Sequence, residues 1–423
     1  MTINTFDPSG SERSPQIAAA GSHPRRGTII GRETAYVTGL YLRRAFVFTG
    51  IILAIVLALD VVGRMTQVLA LNDDATGLNG LLALLSYIGL RAAFVLPSAL
   101  PIAAIMGVVW AEFGLSRSNE RIMIFSSGRA PVRSLMPALI FGIVIGLLQF
   151  AAVNFSRPYS TEVQAQSKYR YYGPRFVSAA LPNAKWFVTN DTVYNARIAF
   201  GPPVVLHDVV VYRLAPSGRL ESIISADQAI SNTEGDGWEF QNGTIFTFAW
   251  AQDGRTALKA PTQTVFVSRS FPVSLDPHWA EFIDIDPHLL PFKTLHNLAV
   301  ADSGIPNSVA FRAAYQQRYA AILTCLAMAL IGASLSLMMF APQMAPTKLV
   351  QVAAIGYAAH VGSTVLKLLG EHGLVPLPVA IWMWPLAIII GAYILLYWHD
   401  RRIQKAISDQ AGQDIRQRAR PAT

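Results

Sequence analysis

Six apolar runs, in two blocks of three, constrain this chain more tightly than any other feature. A helix needs about 20 predominantly apolar residues to cross a hydrocarbon core. Such runs occupy Ala45 to Val62, Leu81 to Trp110, Leu135 to Val153, Tyr319 to Phe340, Leu349 to Leu369 and Leu377 to Trp398. The second is long enough to hold a tilted span plus a turn. Between the third and fourth lies a long stretch of different character. The plan is three helices, one inserted domain and three more helices, with boundaries expected at 41–153, 154–312 and 313–400.

Only 14% of the residues are charged and 52% are hydrophobic. A soluble domain carries about a quarter charged residues, so lipid is the expected solvent for much of the chain. A net charge of +8 would suit nucleic acid, but the basic residues cluster just outside the apolar runs, as membrane topology requires. The leader (1–40) has Arg13, Arg25, Arg26, Arg32 and no long apolar core, and reads as a disordered cytoplasmic tail without a cleavable signal. Arg43 and Arg44 follow it, the loop after the second run has Arg117, Arg121, Arg129 and Arg133, and a basic tail (401–423) has Arg401, Arg402 and Lys405. The opposite side offers Arg64 beside Asp73 and Asp74, then Glu371 with His372. The excess of Lys and Arg puts both termini in the cytoplasm and the inserted domain outside.

That domain reads as β. "KWFVTNDTVYNARIAF" and "VVLHDVVVYRL" are rich in Val, Tyr, Phe and Ile. "APSGRLESII" signals a hairpin with Pro216, Ser217 and Gly218 at its turn. "GDGWEFQNGTIFTF" is expected to supply two strands around an Asn242-Gly243 turn. Seven or more short strands predict a sandwich, jelly roll or curved open sheet. "EFIDIDPHLLPFKTLHNL" reads as a loop and helix returning to the membrane.

Chemistry of its own is not expected. Walker A, HExxH and GxSxG sequences are absent, and the eight His residues show no metal-ligand spacing. The single cysteine, Cys325, excludes a disulfide framework and reads as a small packing residue. His360, inside the fifth run, reads as a helix-packing hydrogen bond rather than a proton relay. Asp227 and Glu234 read as solvated polar residues of strand and turn.

"SRSNERIMIFSSGRAP" (116–131) separates the second and third runs. Ser118 suits an N-cap, so a helix is expected at about 119–127, with Glu120 in a first turn whose dipole favours an acid. Ile122, Met123, Ile124 and Phe125 make an apolar edge, Gly128 suits the left-handed stop and Pro131 prevents continuation. Two readings stand level on physics alone: a connector lying on headgroups, or a coupling helix seated in a cytosolic motor. Four cations also sit at or near the outer ends of spans: Arg64, Arg91, Arg318 and Lys367. Each alone reads as snorkelling toward lipid phosphate. Together they suggest a basic ring that holds an anionic headgroup, with Arg91 foremost because Pro97 and Pro101 follow it.

"NERIMIFSSGRAP", with Asn119, Glu120, Met123 and Gly128, resembles the lipopolysaccharide export permeases, the half-permeases LptF and LptG of Gram-negative bacteria. "LPIAAIMGVVWAEFGLS" resembles their Leu-Pro and Gly pattern upstream. "ISADQA" with "GWEFQNG", "YQQRYAAIL" with Arg318, and "LVPLPVAIWMWP" are similar to the family's outward strands and to the starts of its fourth and sixth spans. Ile322 stands where the family usually has Pro. "GWEFQNG" and Asp60 lean toward LptG. The resemblance covers about Tyr41 to Arg402 and implies an α-helical membrane protein, six helices in a 3+3 arrangement, with an inserted periplasmic jelly-roll-like β domain. It implies a subunit of the bacterial inner membrane with no cofactor and no catalysis of its own, ATP and Mg being bound by a cytosolic ABC ATPase dimer. A paralogous half-permease, a periplasmic jelly-roll bridge protein and lipopolysaccharide would complete the partners, without nucleic acid. Glu120, with Arg121, Ile122, Phe125 and Gly128, would form the ATPase-coupling helix. Arg64, Arg91 and Arg318, with Lys367, would touch lipid A phosphates. The alternatives are a membrane-anchored sensor or assembly factor with a ligand-binding β domain, and an ATP-driven permease for another lipid.

Overall fold

The computed structural model describes residues 31–71, 78–126, 131–176, 178–189, 191–231, 237–250, 260–271, 273, 275–301, 305–339 and 346–418. The first half runs α1 (Arg32–Ala70), α2 (Leu78–Arg117), α3 (Glu120–Ser126), a 3-10 turn (Pro131–Leu135), α4 (Met136–Ala151), a π-helical turn (Ala152–Ser156) and α5 (Arg157–Gln166). The inserted domain follows with β1 (Lys185–Thr189), β2 (Thr192–Ala199), β3 (Val205–Leu214), β4 (Leu220–Ser231), β5 (Trp238–Thr247) and β6 (Thr262–Phe271). A return segment holds α6 (Pro277–Ala280), a 3-10 turn (Pro287–Leu289) and α7 (Phe292–Val300). Then come α8 (Ser308–Met339), α9 (Pro346–Glu371), a second π-helical turn (Val379–Met383) and α10 (Trp384–Arg418).

Six helices among the described residues are long and apolar enough to cross a membrane, three before the sheet and three after it. The ends differ from expectation. Residues 32–40, read as tail, are the first turns of α1, where Thr34, Val37 and Thr38 are already buried. Residues 157–166, assigned to the β domain, continue the third span as α5, and 308–312 begin α8. Residues 401–418 extend α10. The expected tail up to residue 30, together with Gly128 and Glu234, lies outside the described residues.

Small residues let the helices approach. A Cβ on Gly142 or Gly146 would fall 2.9 Å from the backbone of Leu326 and 2.8 Å from that of Ile322. This GxxxG face of α4 therefore lies directly on α8, in the manner of close membrane helix pairs. Gly107 of α2 meets the Ala45 backbone of α1 in the same way, 2.7 Å from the place a Cβ would take. With Ile322 rather than Pro, α8 continues as one helix.

Proline sets both π turns. Pro158 has no N–H to give to the Asn154 carbonyl, and its ring crowds that carbonyl. The chain widens by one residue instead, so that the Arg157 N–H reaches back to the Ala152 carbonyl. Pro385 stands in the same place after Val379–Met383.

The six strands form one antiparallel sheet in the order β1 to β6, each beside its sequence neighbour. Of the sandwich, the jelly roll and the open sheet, the described strands thus show a single open meander. β2 and β4 alternate buried and exposed residues, as a sheet with one covered face requires. Phe187, Tyr194, Ile198, Val209, Ile224, Trp238 and Phe240 line that face, against Leu275, Trp279, Ile285, Leu295 and Phe311 of the return segment and α8. The hairpin at Ala215–Gly218 forms as expected, closed by the Gly218 N–H on the Ala215 carbonyl at 2.8 Å, with Gly218 at φ +78°.

Asn242-Gly243 is not a turn. Both residues lie inside β5, which runs straight through them. Asn242 takes a left-handed φ of 50°, and the register to both neighbouring strands is the same on either side of it. A Cβ on Gly243 would fall 2.4 Å from Phe266 Cζ. The glycine serves a cross-strand ring, not a reversal.

Candidate functional site

Two regions gather the charged residues that the sequence singles out. The first is the elbow between α2 and α3. Asn119 has φ 59°, and its carbonyl accepts from the amides of Ile122 and Met123 at 3.1 and 3.3 Å. The helix therefore starts at Glu120, one residue later than a Ser118 cap predicts. Ser118 Oγ turns instead to Glu120 Oε1 at 3.0 Å, and Tyr36 of α1 donates to Glu120 Oε2 at 3.1 Å.

Arg121 points inward. It is 5% exposed, its Nε donates to Glu112 Oε2 at 3.0 Å, and its Nη2 pairs with Glu112 Oε1, the oxygen that also takes the Tyr41 hydroxyl. Burial works against this guanidinium's charge, but Glu112 and Tyr41 outweigh it and hold its pKa above the usual value. Arg121 thus ties α3 to α1 and α2, while Ile122 and Met123 are exposed at 47% and 63%. Phe125 is half-buried beneath the Arg121 guanidinium, 5.9 Å away.

The second region lies at the β-domain end of the helices. A chamber of about 280 Å³ opens between α2, α5, α8 and α9. Arg157, Arg318, Lys367, His288 and His360 line it, with Ser98, Gln149 and Thr324. No carboxylate is among the lining residues. Arg318 is 1% exposed and donates to Asn154 Oδ1 at 3.3 Å and to the Leu290 carbonyl, while its Nε has no partner. Arg157 gives Nη2 to Ser98 Oγ at 2.7 Å, and its Nε is also buried and unpaired. Lys367 reaches Thr324 Oγ1 at 3.3 Å. Buried donors of this kind are ordinarily satisfied, and these two Nε atoms have no partner within the chain.

Arg318 and Lys367 are therefore brought together, and Arg157 joins them. Arg157 lies beyond the third apolar run, which ends at Val153, so run length alone does not mark it. The Arg157-Pro158 dipeptide was the available signal, since that proline makes the π turn that carries Asn154 and Arg157 to the chamber. His360 does not form the expected packing bond through Nδ1, which is unpaired and buried at the chamber wall. Cys325 is buried, with Sγ on Gln149 Oε1 at 2.7 Å. Behind the wall, Glu371 Oε1 lies 2.9 Å from His288 Nε2 and accepts from Gln317 at 2.6 Å.

Arg64 and Arg91 stay outside the chamber. Arg64 donates to Gln67 Oε1 at 2.9 Å, one turn along its own helix. Arg91 is 9% exposed, with Nε 3.2 Å from Asp60 Oδ2. Asp60 also receives Arg170 and the Tyr87 hydroxyl. Arg91 is thus ion-paired with Asp60, although its Nε and Nη1 make no hydrogen bond. An acid within an apolar helix needs a partner, and Asp60 alone could have announced this cluster.

A 3+3 helical body with an inserted β domain and a cation-lined chamber among its helices defines a multi-pass membrane protein. The model of the family "Lipopolysaccharide export system permease LptF/LptG" matches residues 39–398. The chain belongs to that family, as an inner-membrane permease subunit of lipopolysaccharide export. No curated protein sequence matches the chain.

Proposed function

We propose that this chain is one half-permease of an ATP-driven exporter that takes lipopolysaccharide from the outer leaflet of the inner membrane. It works beside a paralogous half-permease and a cytosolic ABC ATPase dimer that binds the ATP and Mg. Both termini and α3 face the cytoplasm, and the β domain faces the periplasm, where it passes lipid toward a jelly-roll bridge protein. The edges of the sheet, β1 and β6, suit strand addition to such a neighbour. Glu120, Ile122 and Phe125 belong to the helix that meets the ATPase, and Gly128, assigned to the same contact, lies outside the described residues. Arg121 serves it from behind.

The chamber carries this reading. Three cations line it, two of them with buried unpaired Nε atoms, and no carboxylate is among the lining residues. Guanidinium forks match phosphate oxygens in number and geometry, and lipid A offers such phosphates. Arg318, Lys367 and Arg157 are assigned to that contact, and Arg64 and Arg91 are left to a supporting role. The test is photocrosslinking in membranes from a probe beside the chamber. Arg318→Gln with Lys367→Gln should lower crosslinking to lipopolysaccharide several-fold at equal protein level. Equal crosslinking would remove the chamber from the path. Recovery of an ATPase with the affinity-tagged chain checks the partner assignment, and its absence would leave the anchored-sensor alternative.

A further inference from the structure

Two buried charge clusters pin α1, one toward each end, and neither lines the chamber. At the α3 end, Tyr41 (0% exposed), Glu112 (1%) and Arg121 (5%) join α1, α2 and α3 through a single carboxylate. The Tyr41 ring also packs edge-on against Phe141 of α4, with centroids 5.7 Å apart. At the other end, Asp60 of α1 holds Arg91 and Tyr87 of α2 and Arg170. Arg170 stands just past α5, where the chain leaves the helical body for the sheet. Three residues further on, Gly173 presses on Ile285 of the return segment, so closely that a Cβ would fall 2.5 Å from Ile285 Cγ1.

Between these clusters one face of α1 packs along α2, with Ala45 against Gly107, Thr49 buried and Phe48 edge-on to Trp110. Its other face is free of this chain, with Phe46, Ile51, Ile55 and Leu59 exposed. Tyr41 and Asp60 are separated by about 28 Å at 1.5 Å per helical residue. Hydrophobic packing could fix α3 equally well, and a buried ion pair is a poor choice for stability alone. What a buried charge adds is a penalty for separation. α3 cannot leave α2 and α1 without taking Arg121 away and leaving the Glu112 carboxylate unpaired in an apolar interior.

We infer that α1 is a lever, with Arg121–Glu112–Tyr41 as its input joint and Asp60–Arg91–Arg170 as its output joint at the base of the β domain. This rests on the reading of α3 as the helix that meets the ATPase. Movement of α3 then reaches the exit of the membrane through α1, without passing through the chamber residues. These are positioning residues, acting on transport through the elements they tie together.

The test uses the complete complex in proteoliposomes and reads lipopolysaccharide released per ATP hydrolysed. Glu112→Gln and Asp60→Asn should each lower that ratio at least fivefold while ATP is still hydrolysed. Because the joints act in series, the double variant should be no worse than the poorer single one. Merely structural roles would instead reduce recovery and ATPase retention together, and the two effects would multiply. The charge exchange Glu112→Arg with Arg121→Glu should restore part of the ratio. Should Glu112→Gln assemble poorly, Tyr41→Phe decides, since it removes one hydroxyl and keeps the ring on Phe141. An unchanged ratio in Tyr41→Phe, or in either charge variant, overturns the lever. If the wild-type chain retains no ATPase, the reading of α3 fails first and takes the lever with it.

Discussion

Asn242 keeps the left-handed backbone of a turn residue in the middle of a strand. At φ 50° most side chains meet the following carbonyl, at a cost of roughly 1–2 kcal/mol, and Asn tolerates it better than most. Asn242→Gly should therefore leave thermal stability of the full chain in detergent unchanged, while Asn242→Val lowers it by about 1–2 kcal/mol. Equal midpoints for the two would argue against the strained backbone. Trp238 is a second residue-scale case. It is 1% exposed and donates Nε1 to the Leu275 carbonyl at 2.8 Å, stitching β5 to the return segment. Trp238→Phe keeps the aromatic body and leaves that carbonyl without its donor, for an expected loss of about 1–3 kcal/mol, read as a lower unfolding midpoint. The sequence showed a Trp in a strand. It could not show which carbonyl stood opposite.

Among the elements, the α4–α8 contact and α3 make opposite predictions. Gly146 has no room for a side chain against Ile322, so Gly146→Leu should pry the two helices apart, at a cost of about 1–3 kcal/mol for overpacking. Size-exclusion profiles and thermal midpoints of the purified chain report it, and an unchanged midpoint would mean that the helices are not in contact there. Ile122 and Met123, by contrast, touch little of this chain. Ile122→Asp with Met123→Asp should leave the midpoint within about 0.5 kcal/mol, as surface changes usually do, yet strip the ATPase from affinity-purified complexes. Retention of the ATPase would show that α3 is not the docking surface. The apolar edge of α3 was legible from spacing. The inward turn of Arg121 was not, because its partner Glu112 lies in a different helix and only the left-handed Asn119 aims one at the other.

For the whole molecule, the proposed orientation can be read with a membrane-impermeant maleimide. The native Cys325 is buried and should not react, so single cysteines introduced elsewhere report cleanly. Ser217→Cys, exposed in the β3–β4 turn, should label in intact spheroplasts, and Ser126→Cys at the end of α3 should label only after permeabilisation. The reverse pattern would invert the topology. Six helices, their 3+3 grouping and the β character of the insert were all carried by composition and period, because the length of an apolar run and the alternation along a strand are local properties. The elbow helix and the family motifs belong to the same class. The tertiary structure alone decided which charges meet. It closed Arg91 onto Asp60, hid Arg121 against Glu112, left Arg64 on its own helix and gathered Arg157, Arg318 and Lys367 around one chamber. A sequence places each charge along a helix, but whether that charge is neutralised or offered depends on the helix packed against it.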